Sequence, residues 1–170
     1  ANTRQFNFVY GARTDFAIFV EHFVKTRGHR FRRRFERVVA MMNIVGIGEV
    51  LWDVFGEQKT LGGAPANFAY HAAQQGVRGN VVSAIGNDEL GDETLKILEQ
   101  KKLFPHLQRV PAPTGTVPIT LDKNGVANYA FPPNVAWDYL QMTPELLSLA
   151  EQTNAVCFGS LAQRSAGTRA

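Results

Sequence analysis

Between Asn43 and Lys102 the chain alternates strand-like and helix-like stretches at a spacing that few architectures accommodate. Asn43-Ile44-Val45-Gly46-Ile47-Gly48 is a short apolar run closed by glycine, the pattern of a parallel strand buried on both faces. Glu49-Val50-Leu51-Trp52-Asp53-Val54-Phe55 follows, then a polar loop leading to Gly62-Gly63. A helix is predicted from Ala64 to about Gln75. Pro65 suits a first turn, where its missing N–H is not needed, and Gly76 suits the stop. Val81–Gly86 reads as the next strand. Asn87 to about Lys102 reads as the next helix, capped by Asn87 or Asp88, with acids in its first turn and Leu90, Leu95, Ile97 and Leu98 as apolar positions. This order predicts an α/β domain on a parallel sheet.

The pattern then changes. Thr116–Leu121 and Val126–Phe131 flank Asp122-Lys123-Asn124-Gly125. Asn-Gly between two extended runs predicts a hairpin, since both residues tolerate positive φ. Val117, Ile119 and Leu121 fall on one face of its first arm. A hairpin inserted in an α/β chain lies outside the main sheet, so residues 116–131 have the makings of a lid. A short helix follows from Thr143-Pro144 to about Gln152, then a buried-type strand, Ala155–Gly159, in which Cys157 is expected to be buried.

Composition sets the outer bounds. The 170 residues are 45% hydrophobic, enough for one domain with a core. No apolar run approaches the roughly 18 residues a membrane span needs. The single cysteine cannot form an internal disulfide, which fits a reducing compartment such as the cytoplasm. The net charge of +3 is unevenly placed: residues 1–40 hold nine of the 18 Lys/Arg and only three of the 15 Asp/Glu. They also hold seven of the 12 phenylalanines and none of the eight prolines. The run Arg27–Arg37 invites a nucleic-acid reading, through Arg on phosphate and Phe on bases. A transit-peptide reading is weakened by the absence of Ser and the presence of Asp15, Glu21 and Glu36. The reading favoured is a non-native or disordered leader, translated from upstream of a start at Met41 or Met42, with residues 41–170 as the folded part and no nucleic-acid or membrane partner.

Two familiar ligand motifs fail. Gly46 and Gly48 match the first two glycines of a dinucleotide fingerprint, but Leu51 stands where the third belongs. No G-x-x-x-x-G-K-[ST] loop occurs, and His22, His29, His71 and His106 lack metal-ligand spacing. The glycine pair is more informative. Without Cβ atoms, Gly62 and Gly63 let a ligand approach the main chain beside a helix start. Asn67 offers both a donor and an acceptor, as a hydroxyl does, and Asp53 is an acceptor-only group just past the first strand. Together they suit a polyol or sugar. Turn glycines, an ordinary helix Asn and a capping Asp remain the plainer alternative.

G-E-V-L-W-D (Gly48–Asp53), G-G-A-P-A-N (Gly62–Asn67) and A-I-G-N-D-E-L-G-D-E (Ala84–Glu93) together resemble the amino-terminal half of a ribokinase-like (PfkB) carbohydrate kinase. T-G-T-V-P-I-T-L-D (Thr114–Asp122) and C-F-G-S-L-A-Q-R (Cys157–Arg164) look more narrowly like bacterial fructokinases of that family. The resemblance covers Met42 to about Arg169. It implies a three-layer α/β sandwich with a parallel-type sheet and a small β-hairpin lid, incomplete at the carboxyl end. It also implies ATP as phosphoryl donor, Mg²⁺ and often a monovalent cation. By the same resemblance, Asp53, Gly62, Gly63 and Asn67 hold sugar hydroxyls, Gln163 and Arg164 are candidate sugar contacts, and the lid builds a homodimer contact in many members. Asn87–Gly91 is part of a family signature and is read as mainly structural. The family's general base, an Asp in a G-A-G-D motif, has no match in the sequence and is expected beyond Ala170. Two function readings follow: phosphorylation of a sugar, fructose first, by the parent protein, or a non-catalytic fragment that only binds a sugar or a partner.

Overall fold

The computed structural model describes residues 28–169, which fall into two compact units that divide between Met41 and Met42. In the first unit the described part is helix α1 (Gly28–Ala40), with Arg33, Arg34 and Arg37 exposed. The rest of the basic leader, residues 1–27, lies outside the described residues. No described helix is long and apolar enough to cross a membrane.

The second unit runs β1 (Asn43–Ile47), β2 (Leu51–Phe55), β3 (Gln58–Gly62), α2 (Ala64–Ala73), β4 (Arg78–Gly86), α3 (Glu89–Gln100), β5 (Phe104–Val110), β6 (Gly115–Leu121) and β7 (Ala127–Tyr129). A 3₁₀ turn (Ala136–Tyr139), α4 (Pro144–Glu151), β8 (Ala155–Phe158), a second 3₁₀ turn (Leu161–Arg164) and α5 (Ala166–Arg169) complete it. The main sheet has the order β5-β4-β1-β8, all parallel. Every residue of β4 after Arg78 is buried, as expected of an inner strand covered on both faces. On one face Val81 packs with Ala66, Ala69, Leu98 and Leu103 beneath α2 and α3. On the other, Val45, Val82 and Ala84 pack with Ala136, Leu140 and Leu146 beneath the first 3₁₀ turn and α4. Three layers result, as the sequence predicts.

The second sheet, β3-β2-β6-β7, stands apart from the first, so the hairpin lies outside the main sheet. Its turn differs from the expected one. Of the Asn-Gly pair only Gly125 has positive φ, and the Asp122 carboxylate accepts from the N–H groups of Asn124 (2.8 Å) and Val126 (2.9 Å). An Asp-capped loop has replaced a two-residue turn, because a local carboxylate satisfies both donors. Three further expectations are corrected. The polar loop before the glycine pair is strand β3, whose Gln58, Lys59 and Thr60 are exposed while their main chain pairs with β2. β5 was not anticipated, because Pro105, His106, Gln108 and Arg109 mask it; an outer strand tolerates such residues. Cys157 is only partly buried, with Val156 and Phe158 exposed beside it, since no described element covers β8 on its outer side.

At the amino ends of the strands, side chains link all four. The Asn43 N–H donates to Asn154 Oδ1 (2.8 Å), and Asn80 Nδ2 donates to Asn43 Oδ1 and to the Ile44 carbonyl. The Asn80 carbonyl oxygen therefore faces His106 Nε2, 3.1 Å away, and that ring nitrogen must carry the proton. Burial, and secondarily the Arg78 charge, hold the His106 pKa below its ordinary value. The unfolded chain thus binds this proton at a higher pH than the folded chain, and stability is lost as pH falls through the ordinary imidazole range of about 6.5. Thermal melts from pH ~7.5 to ~5.5 are expected to show a falling Tm that His106→Gln flattens; equal slopes in the two proteins would contradict this assignment.

Candidate functional site

The site begins where β1 ends. Gly48 and Glu49 turn the chain out of the main sheet into β2, whose alternation sends Trp52 and Asp53 to opposite faces. Trp52 is buried, its indole N–H donating to Thr94 Oγ1 (3.0 Å) and lying 3.3 Å from the Leu90 carbonyl. Asp53 is half-buried, and its carboxylate makes no hydrogen bond or ion pair among the described residues. Desolvation alone raises its pKa above the usual carboxylate value.

The glycines stand directly against this carboxylate. A Cβ on Gly62 would lie 2.8 Å from Asp53 Oδ2. Gly63 caps α2 with φ 108°, and a Cβ there would meet the Glu49 carbonyl oxygen at 2.3 Å. Only glycine satisfies both the conformation and the approach. One turn into α2, the Asn67 N–H donates to the Gly63 carbonyl (3.0 Å), while its nearly buried carboxamide makes no hydrogen bond among the described residues. Asp53, Gly62 and Gly63 thus form one constellation, with Asn67 one helical turn on from Gly63. Asp53 supplies an unpartnered acceptor and Asn67 an unpartnered donor-acceptor, with the buried Gly62 and the partly buried Gly63 along the chain between them, which suits a hydroxyl-bearing ligand.

Gln163 lies elsewhere on the same rim. It lines a cleft of about 130 Å³ with Gly48, Phe158 and Gly159 at the carboxyl ends of β1 and β8, where open α/β sheets bind ligands. Arg164 is already engaged. Its Nε and Nη2 donate to the two Asp138 oxygens at 2.7 Å each, and Nη1 and Nη2 donate to the Phe131 and Pro132 carbonyls at the exit of the hairpin. Burial by itself would raise the Asp138 pKa, but Arg164 and the Val135 and Asn134 N–H groups pull it below the usual carboxylate value.

Across residues 39–169 the sequence matches the pfkB family carbohydrate kinases. The chain belongs to that family. The ATP-dependent 6-phosphofructokinase of Thermoanaerobacterium thermosaccharolyticum is 28% identical over 130 residues, which cover 69% of this chain and 40% of that protein. An uncharacterized sugar kinase of Pyrococcus horikoshii, solved in complex with ATP, matches with TM-score 0.66 and 25% identity over 75% of this chain and 46% of that one. The Halothermothrix orenii fructokinase has the same fold, with TM-score 0.64 and 20% identity over 75% of this chain and 50% of that one. The chain spans half or less of the length of each of these relatives.

Within this pfkB-family chain the sequence reading missed two residues at the site. Asp138 is the partner that holds Arg164. Glu49 is a carboxylate in an otherwise apolar stretch, and that misplacement was the signal available. As for Arg164, its pair with Asp138 braces the exit of the hairpin, and Arg164→Ala is expected to cost about 2 kcal/mol by leaving Asp138 without its ion pair at a partly buried site. Urea unfolding checks this, and a loss below about 0.5 kcal/mol would show that the brace carries no load.

Proposed function

We propose that the protein carrying this chain transfers a phosphoryl group from ATP to a hydroxyl of a neutral sugar, with fructose the first candidate. The observation that supports this most is Asp53: a carboxylate held half out of water, without a partner among the described residues, against Gly62. Sugar hydroxyls would donate to Asp53, and the Asn67 carboxamide would both donate to and accept from a neighbouring hydroxyl. A sugar phosphate or sugar acid would need a cation opposite its charge. The charge the site presents is that of Asp53, and Arg164 is spent on Asp138 and two carbonyls.

The kinase relatives, one of them solved with ATP, support ATP as donor, and family membership supports a cytoplasmic site of action. No group of three His, Cys, Asp or Glu converges to hold a metal among the described residues, so Mg²⁺ and a monovalent cation rest on the family likeness. The residues of this chain bind and orient the sugar, while the hairpin excludes water from it. The sequence holds no G-A-G-D motif to supply a general base, and the 170-residue chain alone is expected to bind sugar without turning it over. Leu121, Val126, Tyr129 and Phe131 are exposed on the hairpin and its exit, which favours a homodimer through the lid. Removing residues 1–40 is expected to leave folding and sugar binding unchanged.

ADP release by the complete protein, measured with fructose, ribose, 2-keto-3-deoxygluconate and adenosine, tests the proposal. Fructose is expected to give the highest kcat/KM. No ADP with any of the four would defeat the kinase reading, and a preference for the acid would defeat the neutral-sugar reading.

A further inference from the structure

Glu49 is 4% exposed, in a chain position where an ionised group needs several donors to offset the loss of water. The main chain supplies part of that offset. Oε2 accepts from the Ala162 N–H at 3.2 Å, and although burial leaves the Glu49 pKa raised, the N–H groups of Glu49 itself, Ala162 and Ala64 act to lower it. Ala64 opens α2, where a helix N-terminus favours negative charge. Two glycines make room for this residue. A Cβ on Gly159 would lie 1.9 Å from Glu49 Oε2, and one on Gly63 would lie 2.3 Å from the Glu49 carbonyl oxygen.

The segments that meet on Glu49 are the two that carry the candidate sugar contacts. Gly63 and Ala64 lead to Asn67. Ala162 directly precedes Gln163 and Arg164. The first segment belongs to the β3–α2 connection and the second follows β8, and these are far apart in sequence. We infer that Glu49 is a positioning residue: its carboxylate ties the start of α2 to the Leu161–Arg164 turn and so sets the spacing between the Asp53–Asn67 constellation and Gln163. Glu49 itself is turned inward and does not reach a ligand. Gln cannot replace it, because an amide presents N–H groups to main-chain donors and keeps only one acceptor. The functional half of this inference rests on the sugar reading above.

Two measurements on Glu49→Gln separate the possibilities. In the 170-residue chain, amide hydrogen exchange at Ala64 and Ala162 is expected to speed up about tenfold or more, the loss of a hydrogen bond to a charged group, with Val81–Ile85 unchanged. In the complete protein the sugar KM is expected to rise about tenfold while the ATP KM stays within about twofold. Unchanged exchange at Ala64 and Ala162 would overturn the tie. Faster exchange throughout β4, or a sugar KM that does not move although exchange at Ala64 and Ala162 does, would reduce Glu49 to a merely structural residue. If wild-type protein turns over no sugar, the functional reading fails, and the exchange result alone still decides whether Glu49 joins the two segments.

Discussion

Asp53→Asn in the complete protein is expected to lower kcat/KM for the sugar by about 100-fold while leaving Tm unchanged or slightly higher. The two halves of this result have one cause. In the folded chain the Asp53 carboxylate has lost part of its hydration and gained no donor, so its charged form is disfavoured and its pKa rises. Such a group contributes no stability at neutral pH. It costs some, and that cost is relieved as pH falls through the raised pKa, or when the charge is removed. The charge is useful only when sugar hydroxyls donate to it. Charge-assisted hydrogen bonds are each worth about 1.5–3 kcal/mol, so losing the better part of two corresponds to about 3 kcal/mol, or roughly 100-fold. Side-by-side kinetics and thermal melts check both halves. A large fall in Tm with unaltered kinetics would make Asp53 a structural residue.

Gly46→Ala is expected to cost about 3 kcal/mol or more. The added Cβ would sit 2.1 Å from the Pro65 carbonyl oxygen and 2.8 Å from its carbon. Neither partner can retreat. Gly46 is paired with Val81 on one side and Cys157 on the other, inside the parallel ladder. Pro65 belongs to the first turn of α2, whose Ala66 and Ala69 are seated in the core. Lifting the helix would open that core and carry Asn67 away from Asp53, so sugar affinity should fall even in whatever fraction stays folded. Gly167→Ala is the matched control, since a Cβ there meets nothing within 4 Å. Urea midpoints for the two variants decide it: a loss below about 1 kcal/mol for Gly46→Ala would mean that the start of α2 is not pressed against β1.

The parts of this fold that could be read from sequence are those with a single physical cause. β1 and β4 are apolar because both of their faces are covered, and Pro65 and Gly76 bracket α2 through fixed backbone preferences. β3 and β5 were hidden for the opposite reason. Their pairing is a main-chain property, and side chains that face water carry no periodic signal. At the proposed site, Asp53, Gly62, Gly63 and Asn67 each lie in a short local motif, and the folded chain brings Gly62 against Asp53. Arg164 was misleading. Its type fits a ligand contact, but its role depends on Asp138, 26 residues away, and on two carbonyls at the hairpin exit. Glu49 depends in the same way on Gly159 and Ala162, and no spacing rule links residues so far apart.

The most direct test of the account is the crystal structure of the complete protein with fructose bound. The account predicts the sugar against Gly62 and Gly63, with two of its hydroxyls within hydrogen-bond distance of the Asp53 carboxylate and a third on the Asn67 carboxamide. Fructose bound away from Asp53, or an Asp53 carboxylate that keeps no sugar hydroxyl, would contradict it.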